Sequence, residues 1–204
     1  MLADESVRLI EAWFAQHEDG EFGQLPRAAP YTVIGPRGPT PRVLYATKPH
    51  IVALSLEQNE DAYEFGLVGR YGLPRTHDVP WIRQIVGQGE VLFVGDLDPV
   101  DLMVFSWLRT QVRPIPTRYL GINDAFLAFV RPVDAEFRAF SLAPLELAAF
   151  SLLQTILPDL TELLGPQCAG ILASRRKLEL DAIVSLRQTA SPIVQAALSI
   201  GKSL

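Results

Sequence analysis

The sequence contains little cysteine, little histidine and no long hydrophobic run. Cys168 is the only cysteine in 204 residues, which excludes an internal disulfide and a cysteine-rich zinc site. The three histidines, His17, His50 and His77, do not show the spacing of metal ligands. The chain has neither the roughly 18 consecutive apolar residues of a membrane span nor a charged-then-apolar signal segment at its N-terminus. These absences predict a soluble protein in a reducing compartment, and we expect the cytoplasm and no membrane partner.

An excess of basic charge is also missing. The formal net charge of -5 argues against a surface that binds nucleic acid nonspecifically, although a local basic groove remains compatible with it. The hydrophobic content is 49%, and a chain of this length can bury a sizeable core. We therefore expect one compact domain, with at most a small appendage.

Three regions can be distinguished along the chain. Residues 1–41 contain an amphipathic helix (ADESVRLIEAWFAQHE) and the first of two short strands, which flank a Gly/Pro-rich connection. Residues 42–140 alternate between apolar strands and helices, which predicts an α/β core. Residues 141–204 are rich in helix formers and predict a helical C-terminal part that packs on the core.

The alternation within residues 42–140 predicts the type of sheet. The predicted strands include HIVALSLE (50–57), GLVGRYGLP, EVLFVGD and PIPTRYLG. The predicted helices are one beginning in NEDAYEFGLV, followed by DVPWIRQIVGQG, PVDLMVFSWLRTQV and NDAFLAFV. Alternation of this kind, with continuous apolar strands, is typical of a mostly parallel sheet that is covered by helices on both faces.

Two aspartates follow the most apolar of these strands. Asp96 and Asp98 come directly after EVLFVG, where the chain turns into a helix, and ligands of parallel sheets bind at that edge. Residues two apart in an extended segment point the same way, so both carboxylates can reach one hard cation such as Mg²⁺. Gly95 allows the backbone to bend, and Pro99 suits the first turn of the helix. The alternative is that Asp98 only caps the helix and Asp96 lies in solvent.

A third acid strengthens the metal hypothesis. Glu57 ends the predicted strand HIVALSLE and precedes Asp96 by 39 residues, enough for one or two βα units. If those strands are parallel, Glu57, Asp96 and Asp98 lie at the same edge of the sheet.

A glutamate at one strand end and D-x-D at a later one resemble the Toprim domain of topoisomerases, primases and related nucleases. The segments SLEQNEDAYEF, GRYGLP, GEVLFVGDLDPVDLMVFSWLR, PTRYLGINDAFLAF, LAPLELAAFSLL and RKLELDAIV follow one another along the chain. Their order is similar to the C-terminal Toprim-type nuclease domain of the Wadjet plasmid-defence D subunit, which is related to the topoisomerase VI A subunit. The resemblance covers roughly residues 42 to 186.

This resemblance implies a function and a set of site residues. It assigns Glu57, Asp96 and Asp98 as catalytic residues and as ligands of Mg²⁺ or Mn²⁺ in the cleavage of DNA phosphodiester bonds. Asp101 stands where this branch usually has glycine, and it either joins the metal site or repels the phosphate. The partners implied are DNA, an SMC-like complex and a second copy of the chain.

Other charged residues are candidates for supporting roles. Arg109, Arg113 and Arg118 follow the D-x-D and could contact DNA phosphates, or they balance nearby acids on the surface. Glu179 and Asp181 align loosely with an acidic stretch that closes the Wadjet domain. A solvated helix face explains those two acids better.

Two other functions are compatible with the sequence. A noncatalytic Toprim-like module would bind DNA or a partner subunit, in keeping with the negative charge and with Asp101. An apolar strand that ends in D-x-D also begins the active site of haloacid-dehalogenase-like phosphatases, in which the first aspartate is a nucleophile. That family normally has its motif near the start of the domain and further acids at later strand ends, and this sequence departs from both patterns.

Overall fold

The computed structural model describes residues 3–17, 31–35, 42–59, 65–130, 138–187 and 189–201. Within these residues the α-helices are α1 (Ala3–His17), α2 (Pro49–Glu57), α3 (Val79–Val86), α4 (Pro99–Gln111), α5 (Asp124–Val130), α6 (Pro144–Ile156), α7 (Leu160–Leu164), α8 (Pro166–Ala173), α9 (Leu180–Arg187) and α10 (Ser191–Gly201). The strands in the same residues are β1 (Tyr31–Ile34), β2 (Arg42–Ala46), β3 (Phe65–Arg70), β4 (Glu90–Val94), β5 (Thr117–Tyr119), β6 (Phe140–Ser141) and β7 (Arg176–Lys177). A short 3₁₀ helix covers Thr76–Asp78.

Five of the described strands form a mostly parallel sheet in the order β1-β3-β2-β4-β5, and β6 and β7 form a separate pair. Strands β2, β3, β4 and β5 run parallel to one another, whereas β1 pairs antiparallel with β3 at one edge. The sheet therefore contains β1 from the predicted N-terminal region (1–41) as well as strands of the predicted core region (42–140). The predicted α/β class, the mostly parallel sheet and the helical C-terminal part are all confirmed.

Burial explains why β2, β3 and β4 lie in the centre. Every residue of β3 is buried, and in β2 and β4 all residues after the first are buried. Helix α4 covers the sheet with an almost completely buried surface, and α1 and α6 pack against it in turn. Strands that are buried on both faces are largely apolar, with Arg70 at the end of β3 as a buried exception, so no alternating pattern appears in these sequences.

One predicted strand is wrong. Residues 50–57 belong to α2, which begins at Pro49 and buries Ile51, Val52 and Ser55 on one side. A short apolar run suits a buried helix as well as a buried strand, so periodicity alone does not separate the two. The helix expected to begin in NEDAYEFGLV falls partly on residues 60–64, outside the described residues, and Phe65 already belongs to β3.

The C-terminal part joins the core through backbone hydrogen bonds. Strand β7 pairs antiparallel with β6, and just after it Leu178 and Leu97 exchange backbone hydrogen bonds of 3.2 and 2.9 Å. This pairing brings residues 177–181 against the D-x-D segment. In the described part of the chain, none of the helices combines the length and hydrophobicity needed to cross a bilayer.

Candidate metal centre

The site lies where the strand order of the sheet changes direction. From β2 the chain crosses through α2 to β3 on one side, whereas β4 leads through α4 to β5 on the other side. A crevice opens between two such strands at their carboxyl ends, and ligands of open α/β sheets bind there. Ala46 of β2 pairs with Val94 of β4, so the next two residues of each strand lie side by side. Lys48 is thereby placed beside Asp96.

Asp101 closes a tight loop after β4. Its Oδ2 atom accepts hydrogen bonds of 2.6 Å from the backbone N–H of Asp96 and from the Thr47 hydroxyl. A Cβ atom added to Gly95 would come within 2.5 Å of that same oxygen, so this close approach requires glycine. Thr47 and Gly95 thus hold the Asp101 carboxylate against the end of the strand.

Asp98 caps helix α4. Its backbone is extended, and its Oδ1 atom accepts from the backbone N–H groups of Val100, at 2.7 Å, and Asp101, at 2.9 Å. Pro99 occupies the first turn, as expected. The capping role considered from the sequence is therefore present, but Asp96 is buried and does not lie in solvent.

Asp96, Asp98 and Asp101 together form a compact group that we call the acid cluster. One carboxylate oxygen from each residue lies within 4.8 Å of the others, close enough for the three to hold a metal ion. The exposed fractions of the three residues are only 4%, 8% and 8%, respectively. Within the described residues, no group donates a hydrogen bond to Asp98 Oδ2 or Asp101 Oδ1. Two buried carboxylate oxygens are therefore available to a cation.

Burial and mutual repulsion favour protonation of the acid cluster. Burial, followed by repulsion from Asp96, raises the pKa of Asp98 to about 7, although the N–H of Asp101 acts in the opposite direction. Burial and the charges of Asp98 and Asp96 hold the pKa of Asp101 well above its ordinary range. Burial also raises the pKa of Asp96, against the opposing effect of Lys48 and of the Leu180 N–H. A bound cation would relieve this repulsion, so the electrostatics of the acid cluster favour the binding of a metal ion.

Two lysines form ion pairs with acids in or beside the acid cluster. The Lys48 ammonium lies 2.8 Å from Asp96 Oδ2, contacts Asp181, and is 3.7 Å from Glu179. Burial lowers the pKa of Lys48, but the Asp96 charge and hydrogen bonds with Asp181 and Asp96 outweigh burial, so this pKa is raised overall. Lys48 is therefore a charged group at neutral pH.

The second lysine joins Glu179 to helix α6. The Lys177 ammonium lies 2.7 Å from Glu146 and 2.9 Å from Glu179. Glu179 and Asp181 were expected on a solvated helix face. Asp181 does lie half-exposed in the first turn of α9 and Glu179 directly precedes that helix, but both also form ion pairs beside the acid cluster. The pairing of residues 177–181 with the D-x-D segment accounts for this difference.

The acid cluster faces a cavity of about 250 Å³. Its charged lining residues are Lys48, Asp96, Asp98, Asp101, Glu146, Lys177 and Glu179. Five carboxylates and two ammonium groups give the lining a formal excess of three negative charges at full ionisation. Such a lining attracts a cation and repels an anion. The negative charge of a phosphate group would therefore be accommodated only together with a bound cation.

Glu57 does not belong to the acid cluster. It is the last residue of α2 and is exposed, because the segment expected to be a strand is a helix. The described carboxylates that come together are those of Asp96, Asp98 and Asp101. Of the three acids expected to meet, the structure brings together the two of the D-x-D. Asp101, which was expected either to join the site or to repel the phosphate, lies with them.

The three arginines proposed to contact DNA lie toward the opposite edge of the sheet. Arg109 lies ten residues after Pro99 in a helix that runs away from the acid cluster, or about 15 Å along its axis. Its guanidinium packs on the ring of Phe105. Arg113 follows the end of α4 and is exposed, and Arg118 pairs at 2.8 Å with Glu90, the first residue of β4. These arginines are not placed to contact a phosphate at the acid cluster.

Two residues that sequence reasoning missed, Thr47 and Lys48, contact the acid cluster from the end of β2. The signal was the proline that follows them: Pro49 comes directly after Lys48 and begins a helix, as Pro99 does after Asp98. Placing the helix start at Pro49 would have placed Thr47 and Lys48 at a strand end.

The cap formed by Asp98 leads to a prediction about stability. Asp98→Ala and Asp98→Asn both remove the charge, but only asparagine retains an oxygen that can accept from the N–H groups of α4. We expect the alanine variant to be less stable than the asparagine variant by about 1 kcal/mol, or about 3 °C in melting temperature. Equal melting temperatures for the two variants would show that the cap contributes little.

The raised pKa values lead to a prediction about pH. Because the folded state binds protons on Asp98 and Asp101 that the unfolded state has already lost, the free energy of unfolding falls as pH rises from about 5 through 7. We expect the metal-free protein to melt about 5 °C lower at pH 8 than at pH 5.5. The lowered pKa of Glu179 acts below this range, since burial is outweighed by Lys177 and Lys48. Thermal denaturation in EDTA checks the prediction, and a higher melting temperature at pH 8 would contradict it.

The chain was also compared with known proteins. No protein-family model matches it, and no curated protein matches it.

Proposed function

We propose that this chain is a divalent-metal-dependent nuclease that cleaves DNA phosphodiester bonds with Mg²⁺ or Mn²⁺ at the acid cluster. The observation that carries the proposal is the convergence of three buried carboxylates at the carboxyl edge of the sheet, with two of their oxygens lacking a donor among the described residues. Oxygen ligands of this kind suit small hard cations. The Toprim-like order of the sequence segments supports the choice of DNA as the substrate.

The residues at the site have different roles in the proposed reaction. The acid cluster binds the cation, and the cation supplies Lewis-acid stabilisation of the charge that develops on the phosphate. Thr47 and the Asp96 N–H orient Asp101 through hydrogen bonds of 2.6 Å. Lys177 holds Glu146 and Glu179 at the wall of the cavity and partly offsets their charge. Partnership with an SMC-like complex, dimerisation and a role in plasmid defence rest on the sequence resemblance alone.

A plasmid assay tests the proposal. Purified protein is incubated with supercoiled plasmid in Mg²⁺ or Mn²⁺, with EDTA in a parallel reaction. We expect nicked or linear DNA only with the metal. Intact plasmid under all conditions, together with no metal binding by calorimetry, would overturn the proposal.

A noncatalytic module that binds DNA or a partner subunit is the second candidate. It is favoured by Lys48, because an ammonium group already neutralises Asp96 where a nuclease would gain from a further metal ligand. DNA binding that persists in EDTA, without cleavage in any metal, would select this function. DNA binding and cleavage that both occur with metal and are both lost in EDTA would select the nuclease.

A further inference from the structure

Lys48 occupies one side of the acid cluster as a fixed positive charge. The parallel register of β2 and β4 places it beside Asp96, and its ammonium lies 2.8 Å from Asp96 Oδ2. The ammonium also contacts Asp181 and Glu179 of the C-terminal part. The lysine is thus attached to both the sheet and the C-terminal segment.

The three aspartates of the acid cluster differ in what remains available to a ligand. Both oxygens of Asp96 are engaged, Oδ2 by Lys48 and Oδ1 by the backbone N–H of Leu180 at 2.8 Å. Asp98 and Asp101 each use one oxygen to accept backbone or hydroxyl hydrogen bonds. Within the described residues, their other oxygens have no donor. Asp96 is therefore the aspartate of the acid cluster whose charge is already neutralised by the Lys48 ammonium.

We propose that Lys48 is a built-in cation that withholds Asp96 from the metal, so that the acid cluster binds a single divalent ion through Asp98 and Asp101. This inference rests on the proposed function, in which the acid cluster binds a divalent ion. Lys48 is a positioning residue that acts through Asp96. It sets the number of metal ions and weakens their binding, because like charges at such short separation repel strongly in a buried site.

Replacing Lys48 should release Asp96. In Lys48→Met the side chain keeps much of its length but loses its charge, which removes the repulsion and leaves Asp96 Oδ2 free to bind metal. We expect Mn²⁺ to bind at least about tenfold more tightly, or a second Mn²⁺ to bind. The number of ions and their affinity are measured by calorimetry and by the paramagnetic resonance of free Mn²⁺.

A matched double variant separates loss of charge from loss of a ligand. Lys48→Met combined with Asp96→Asn removes one positive and one negative charge, so the net charge of the cavity is unchanged. Replacing a buried ion pair by neutral side chains is often neutral or stabilising, so this variant tests the inference even if Lys48→Met alone does not fold. We expect it to bind one Mn²⁺ within about threefold of the unmodified affinity, because Asp96 is not a ligand.

The outcomes of the Mn²⁺ titration distinguish this inference from the proposed function. Binding by the unmodified protein that falls at least about tenfold in the double variant would show that Asp96 is a ligand, and would overturn the inference but not the nuclease. Binding by Lys48→Met alone would show that Lys48 withholds Asp96, but it would overturn both the single-ion site at Asp98 and Asp101 and the nuclease. No binding by any of the three proteins would overturn both.

Discussion

Asp101→Asn is expected to lower metal-dependent cleavage of plasmid DNA at least about 100-fold. The substitution keeps the size of the side chain but removes a negative ligand, and Lewis-acid stabilisation contributes several kcal/mol, of which about 3 kcal/mol corresponds to a factor of about 100. The acid cluster supplies few other free oxygens, so a lost ligand is not readily replaced. Initial rates of plasmid nicking in Mg²⁺, at equal protein concentration, measure the effect.

Glu57→Gln is the matched control for this substitution. It also converts a carboxylate into an amide, but on an exposed residue at the end of α2 that lies outside the acid cluster. We expect its cleavage rate to equal that of the unmodified protein. A loss of activity as large as that of Asp101→Asn would instead restore Glu57 to the site. Melting temperatures at pH 8 check folding, and Asp101→Asn should not lower them, since it removes a buried charge.

Gly69→Ala is expected to cause the largest loss of stability, about 3 kcal/mol or more. A Cβ atom on Gly69 would lie 2.1 Å from the Cβ atom of Pro49 and 3.0 Å from its Cα atom, so the start of α2 would have to move. Overpacking at a site where backbone must shift is among the costly kinds of substitution. Because Lys48 directly precedes α2, the same movement should also disturb its ion pair with Asp96. Denaturant unfolding measures the free energy of unfolding.

Gly170→Ala provides the comparison for Gly69→Ala. Gly170 lies within helix α8, and a Cβ atom there would meet nothing within 4 Å. Alanine is favoured over glycine in a helix, so we expect an increase in stability of about 0.5–1 kcal/mol. Equal losses in the two alanine variants would show that contact with Pro49 is not the cause.

The sequence predicted the fold correctly where a pattern was compatible with only one kind of secondary structure. The segment EVLFVGD combines valine and phenylalanine, which favour strands, with a glycine that ends the run, and its residues Glu90–Val94 form β4. The run HIVALSLE fits both a strand and a helix, and the incorrect strand prediction placed Glu57 at a strand end. Pro49 could have decided between them, because proline is favoured in the first turn of a helix.

The acid cluster was only partly predictable for a different reason. Asp96 and Asp98 are close in sequence, so local geometry places both at the strand end. Lys48 reaches Asp96 through strand pairing, and Leu180 reaches it through the pairing of Leu97 with Leu178. No local pattern indicates contacts between residues so far apart. The sequence therefore indicated Asp96 and Asp98, with Asp101 as a possible third acid, but not the lysine that faces them.

The pairing of Lys48 with Asp181 also affects when the site can exist during synthesis. These residues are 133 positions apart, and the contact requires the segment that follows β7. A nascent chain that already contains β2, β4 and α4 has its D-x-D but lacks the acids of the C-terminal part that also contact Lys48. The site consequently reaches its final arrangement only after Asp181 has left the ribosome, which separates the folding of the sheet in time from the acquisition of the site.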